Sequence, residues 1–197
     1  MYQIANYFTT APAPSKLAEF ANYVSQRRTA MTVSIRPATR EDAGKLYQMI
    51  YELACYERAE HSVKVTIDDL SLQLSQSEPP FECIIAEIDR KPSGFALYFY
   101  AYSTWEGART LYLEDLYVKQ EFRGAGVGIA LMRYLARVAH EKGCKRLEWS
   151  VLDWNEVAID FYQKIGAKPV NGWERYRLDA DTIGTLLSSQ ERAQSLV

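Results

Sequence analysis

The stretch Arg109–Met132, RTLYLEDLYVKQEFRGAGVGIALM, decides how the chain is read. Its first ten residues are rich in apolar side chains and read as a long strand. Gly124, Gly126 and Gly128 then stand directly before the apolar run Ile129–Met132. Ala130, Leu131, Tyr134, Leu135 and Val138 continue that run as a helical stripe. Glycine in the first turn of a helix costs stability, so a strand–loop–helix unit that keeps three of them there uses the bare backbone. At a helix start the free N–H groups and the positive end of the dipole converge. Glycine removes the side chains that would block an anion at that point. The predicted loop is a pyrophosphate cradle. It is neither a dinucleotide fingerprint, since the spacing is Gly-x-Gly-x-Gly and no early βαβ unit precedes it, nor a Walker loop, since no Gly-Lys-Ser/Thr follows.

Working outward, TVSIRPA (32–38) alternates like a short strand ended by Pro37. Thr39 with Asp42, and Thr66 with Asp69, are spaced as capping boxes for two helices. The first helix carries Ala43, Leu46, Tyr47, Ile50, Leu53 and Ala54 at helical spacing. FECIIAEI (81–88) and GFALYFYAY (94–102) read as strands joined by a turn at Arg90–Ser93. After the glycine loop, Gly143 closes its helix at a position that wants a left-handed residue. RLEWSVLD (146–153) is the next predicted strand, Asn155 opens a helix ended by Gly166, and WERYRLD (173–179) is the last predicted strand. This order is mixed α/β, without an internal repeat or a low-complexity tract.

Composition narrows the function classes. A formal net charge of -2 gives no bulk attraction to nucleic acid, and no run approaches the ~20 apolar residues of a membrane span. Cys55, Cys83 and Cys144 are widely spaced and lack a CxxC, which argues for a reduced cytosolic protein and against a disulfide frame or zinc knuckle. His61 and His140 are too few for a histidine metal site, so no metal is expected. Residues 1–31 read as a flexible N-terminal extension; a weakly targeting-like leader, or an extension upstream of a second start at Met31, are the other readings. Residues 181–197 read as a helical tail, leaving 32–180 as the domain.

FRGAGVG (122–128) resembles the Arg/Gln-x-x-Gly-x-Gly/Ala signature of the GNAT superfamily of N-acetyltransferases, and WNEVAIDFYQKIGA (154–167) resembles that family's later Asn…Phe-Tyr…Gly-Ala segment. The element order matches as well, over about residues 33 to 180. Within the superfamily, ELACYE (52–57), YLEDLYV (112–118) and VLDWN (151–155) are similar to the spermidine/spermine acetyltransferase branch. YSTWEG (102–107) and VLDWN look more like the thialysine N-ε-acetyltransferase type. The polyamine type carries Asp-Pro-Trp where this chain has Ser103-Thr104-Trp105, which removes an acid that would hold a distal ammonium.

The resemblance implies a mixed, largely antiparallel sheet with helices on both faces, splayed beside acetyl-CoA. It implies a cytoplasmic homodimer that acetylates a small primary amine and uses neither nucleic acid nor membrane. Arg123, Gly124, Ala125, Gly126, Val127, Gly128 and Ile129 would hold the pyrophosphate. Leu116, Tyr117 and Val118 would pair with the pantetheine arm, and Asn155 and Ala158 would also touch the cofactor. An alkyl ammonium titrates near pH ~10.4, so a base is required; Glu114, acting through water, is the candidate, with Tyr162 as the acid for the leaving thiolate. Tyr56, Glu57, Trp105, Glu114, Glu148 and Trp173 are the candidate acceptor-lining residues. Strand alternation sends Asp115 to the face opposite Glu114. The competing functions are a diamine or polyamine acetyltransferase, a protein N-acetyltransferase and a non-catalytic CoA-binding module.

Overall fold

The structure, a computed structural model, describes residues 32–194, so the predicted extension 1–31 and the last three residues of the tail lie outside the described residues. Strand β1 (Val33–Pro37) runs into a short 3-10 turn and helix α1 (Ala43–Tyr56). The Thr39 N–H donates to Asp42 Oδ2 at 2.9 Å, as the spacing predicts. Arg36 of β1 reaches across with Nη1 and Nη2 on the two Asp42 oxygens, at 2.6 and 2.9 Å, and it also donates to Glu87. Those hydrogen bonds hold the Asp42 carboxyl down to about 2, so the pair pins β1 to the start of α1. Helix α2 (Ile67–Leu74) is capped by Thr66 and Asp69 reciprocally, with Thr66 N–H on Asp69 Oδ2 and Asp69 N–H on Thr66 Oγ1.

Strands β2 (Glu82–Ile88), β3 (Lys91–Ser103), β4 (Ala108–Val118) and β5 (Arg146–Trp149) join β1 in one sheet of order β1-β2-β3-β4-β5. All pairs are antiparallel except β4 with β5. The β2–β3 turn is tighter than the sequence suggested. It uses Asp89 and Arg90, both at positive φ (50° and 62°), and Lys91 already pairs with Ile88. Two successive left-handed residues match the twist of a two-residue hairpin. Pro92 is tolerated in the strand because a bulge follows it: Ala86 pairs with Gly94 and Glu87 with Pro92, leaving Ser93 extra. The Ser93 hydroxyl then donates to the Ala86 carbonyl at 3.0 Å.

One sheet face packs Cys83, Phe95, Leu97 and Tyr117 against Ala43, Leu46 and Met49 of α1 and Leu70 of α2. The opposite face carries α3 (Val127–Glu141), whose Leu131 and Leu135 are fully buried; each such burial stabilises by ~1.5–3 kcal/mol. Gly94 sets the closeness of this packing. A Cβ there would lie 2.5 Å from the Tyr117 carbonyl oxygen and 3.2 Å from Val127 Cγ1. The first residue of α3 is thereby drawn down onto the sheet, and the glycine loop is held beside the end of β4. At the other end of α3, Gly143 takes φ +69° and the Cys144 N–H closes back onto the Ala139 carbonyl at 2.8 Å.

Residues from Val151 onward form a second compact unit. Its helix α4 (Glu156–Lys164) is capped by Asn155, whose Oδ1 accepts from the Ala158 N–H at 3.3 Å. Helix α5 (Ala180–Gln194) begins at Asp179, which accepts from the Thr182 N–H at 2.8 Å and corresponds to the predicted helical tail. Two strand predictions fail in part. Only Arg146–Trp149 of RLEWSVLD is a strand, and no residue of WERYRLD is. Alternation makes a segment competent for a sheet, but a ladder also needs a neighbouring edge, and these residues have no strand partner among the described residues.

Candidate active site

The fold opens one end of β4. On one side β4 pairs with β3 along its length, while on the other it pairs with β5 only from Thr110 to Leu113. Beyond Leu113 the backbone of Glu114–Val118 has no strand on its β5 side among the described residues, so polar groups along this edge face outward. The edge runs straight to the glycine loop, and it contains the predicted pantetheine-pairing residues Leu116, Tyr117 and Val118.

A bulge reshapes the same segment. Leu97 pairs with Asp115 and Tyr98 with Leu113, so Glu114 is the extra residue of β4. Strict alternation is therefore broken at the point where it was used to set Asp115 opposite Glu114. A bulge sets two residues opposite one and interrupts the strict period of two. Asp115 thus shares the sheet face of Leu97 and Tyr117, under α1. Its carboxyl is pushed up to about 6, first by burial and then by the charges of Glu114 and Glu57. Glu57, at the C-terminal end of α1, is itself raised by burial. Asp115 therefore feels two further carboxylates, one from its own strand and one from the end of α1, an arrangement suited to holding a cation.

The end of α1 also meets the loop. The Arg123 guanidinium lies 5.0 Å from the Tyr56 ring centroid, and its Nε donates to the Val118 carbonyl at 3.2 Å. Lys119 pairs with Glu52 of α1 at 3.6 Å. Tyr56 and Arg123 are thus in contact, and Glu57 and Glu114 both act on Asp115.

The loop suits an anionic group. Gly124 and Gly126 take φ of +78° and +85°, a region that penalises side chains, and Gly126 forms the N-cap of α3. A Cβ at either position would meet no atom within 4 Å, so the space outside the loop is open. The first intrahelical bond is Ala130 N–H to the Gly126 carbonyl. The N–H groups of Val127, Gly128 and Ile129, in the first turn, are therefore left for an outside acceptor. The residues present fit a pyrophosphate.

The other predicted residues stand on other elements. Glu148, on β5 beside Tyr112, is engaged by Arg146 at 3.6 Å. Trp105 is 81% exposed in the β3–β4 turn, and the six residue steps from Ala108 to Glu114 span ~20 Å of strand. Asn155, Ala158, Tyr162 and Trp173 belong to the second unit. There Tyr162 is half-buried with its ring 5.4 Å from Phe161, and Trp173 is exposed. Sequence reasoning missed Asp115 as the titratable member of the cluster. The adjacent Glu-Asp pair was visible, but the bulge that interrupts alternation there depends on pairing with β3. No group of three or more His, Cys, Asp and Glu among the described residues is arranged to hold a metal ion, and no described helix is long and apolar enough to cross a membrane.

Comparison with known proteins agrees with this geometry. Residues 43–167 match the acetyltransferase (GNAT) family. The chain is 39% identical over 166 residues to thialysine N-epsilon-acetyltransferase of Sus scrofa, covering 79% of this chain and 97% of that protein. It is 33% identical over 168 residues to the human spermidine/spermine N(1)-acetyltransferase-like protein 1, covering 80% of this chain and 24% of that protein. Among solved structures, an integron cassette protein from the mobile metagenome of V. cholerae superposes with a TM-score of 0.67 at 28% identity, covering 80% of this chain and 98% of that one. A strand-edge opening that ends in a glycine loop, in a chain matched over most of its length, makes this protein an acyltransferase of the acetyltransferase (GNAT) family.

Proposed function

We propose that the enzyme transfers the acetyl group of acetyl-CoA to the primary amine of a small lysine- or thialysine-like substrate, directly, in a ternary complex. The observation that carries this reading is the open edge of β4, which leads from Glu57, Glu114 and Asp115 at one end to the glycine loop at the other. Residues Arg123–Ile129 hold the pyrophosphate, and the edge of Leu116, Tyr117 and Val118 pairs with the pantetheine arm. One N–H of that edge polarises the acetyl carbonyl. The cofactor supplies an activated thioester carbon.

The acceptor enters as an ammonium, and Asp115 and Glu57 hold it electrostatically. Glu114 takes its proton through a water, because the free amine is scarce at neutral pH. The amine nitrogen bonds to the carbonyl carbon, the carbon–sulfur bond breaks, and Tyr162 gives its hydroxyl proton to the departing thiolate; the second proton lost by the nitrogen, relayed by water, restores the Tyr162 hydroxyl. Asn155 and Ala158 contact the cofactor, while Tyr56, Glu148 and Trp173 line the aminoalkyl chain; Trp105, ~20 Å of strand from Glu114, is beyond the reach of so short a chain. We further propose a cytoplasmic homodimer with the acceptor site near its interface; a monomeric mass in light scattering at micromolar concentration contradicts it.

Initial rates with both substrates varied test direct transfer. Intersecting double-reciprocal lines support the ternary complex, and parallel lines, the sign of an acetylated enzyme, overturn it.

A further inference from the structure

On the sheet face away from the acid cluster, a groove of about 340 Å³ lies between β1 and α3. Val33, Ile35 and Ala130 give it an apolar floor, and Arg133, Tyr134 and Arg137 form its rim. Among the described residues β1 is an edge strand, and no other strand borders the groove on that side. The Arg137 guanidinium stacks on Tyr134, 4.9 Å from the ring centroid. Arg133 and Arg137 are both exposed, and neither forms an ion pair with a carboxylate among the described residues. Arg36 and Arg146 do form such pairs. Two guanidiniums one helical turn apart above an apolar floor are an anion-binding arrangement that the acetyl-transfer reading leaves unused.

We propose that this groove is a second ligand site, for a small amphipathic anion: an aromatic or short-acyl body on Val33, Ile35 and Ala130, with an acidic head on Arg133 and Arg137. The volume sits at the small end of ligand sites, which suits a two-ring body and not a long chain. With a whole-chain charge of -2, any affinity for an anion arises locally. The site is separate from the cofactor loop. Arg137 lies ten residues past Val127, ~15 Å along the α3 axis from the end that holds the pyrophosphate.

The full chain, titrated with 1-anilinonaphthalene-8-sulfonate with and without saturating CoA, tests the proposal by fluorescence. The expected result is a saturable component that persists in CoA and weakens with added salt. It weakens by about tenfold or more in Arg133→Ala/Arg137→Ala, through loss of two charge-assisted contacts. Arg133→Lys/Arg137→Lys, which keeps the charges, retains most of the affinity. Both residues are exposed, so the melting curves of the variants should match that of the unaltered chain. A double-alanine variant that binds as well as the parent, or a signal abolished entirely by CoA, overturns the proposal.

Discussion

Replacing Asp115 by Asn should make the protein more stable and a poorer enzyme. The Asp115 carboxyl is moved from 3.8 to about 6 by burial and by Glu114 and Glu57. Between those values the folded chain keeps a proton that the unfolded chain has released, so stability falls as pH rises through that window. Above it the ionised form carries a penalty of up to ~3 kcal/mol. Asp115 is partly exposed, and solvent screening reduces that figure. Asn keeps the shape without the charge, at an amide desolvation cost of ~1 kcal/mol. The net gain expected at about pH 7.5 is ~1 kcal/mol, or ~2–4 °C in Tm for a chain of this size. At about pH 4 the wild-type carboxyl is already neutral in the fold, the electrostatic gain is gone, and the amide cost should leave the Asn variant ~1 kcal/mol the less stable. Thermal melts at both pH values read this directly. Asn destabilising at pH 7.5, or giving the same increment at both pH values, refutes the electrostatic reasoning. In the same variant the KM for the amine should rise by about tenfold, through loss of a charged partner.

Three further outcomes follow from the site. Gly126→Asp places a carboxylate where the pyrophosphate binds; the left-handed φ of +85° should cost ~1–2 kcal/mol of stability, but a Cβ there meets no neighbour, so the fold should persist with a lowered Tm while the Kd for CoA in calorimetry rises at least about tenfold; unchanged affinity contradicts the cradle. Tyr162→Phe keeps the ring and its packing on Phe161, so melting should barely change while turnover falls by ~10² to 10⁴-fold with CoA binding intact; full turnover where chemistry limits the parent places the acid elsewhere. Glu114→Gln should slow turnover and be partly rescued as pH rises, since more amine then arrives deprotonated; a pH profile identical to that of the parent removes Glu114 as the base.

Much of the architecture was legible because it is locally encoded. The Thr39/Asp42 and Thr66/Asp69 caps, the stripe of α3 and the left-handed turn at Gly143 depend on residues within one or two turns of each other. The glycine loop was legible for the same reason. What escaped depends on pairing between distant segments. The bulge at Glu114 exists only relative to Leu97 and Tyr98, and it interrupts the alternation on which the face assignment rested. The Asp89–Arg90 turn was hidden by Pro92, a residue that normally marks the turn itself and here lies at a bulge. The strand predicted at 173–179 has the right alternation and no edge to join, which composition does not reveal. Within the acid cluster, Glu57 and Glu114 were legible as candidates, whereas their coupling to Asp115 follows from burial under α1.

The central claim is that acetyl-CoA and a small aminoalkyl amine meet at the open end of β4. Its most direct test is the rate of CoA release from acetyl-CoA by the purified protein across a panel of primary amines, with mass spectrometry of the products. The panel should include thialysine, lysine, ornithine, putrescine, spermidine and a peptide amine. The account predicts turnover with thialysine and lysine well above that with spermidine or the peptide, and a single acetyl group on the side-chain nitrogen. CoA release confined to the polyamines or the peptide, or no release with any amine while CoA still binds, contradicts it.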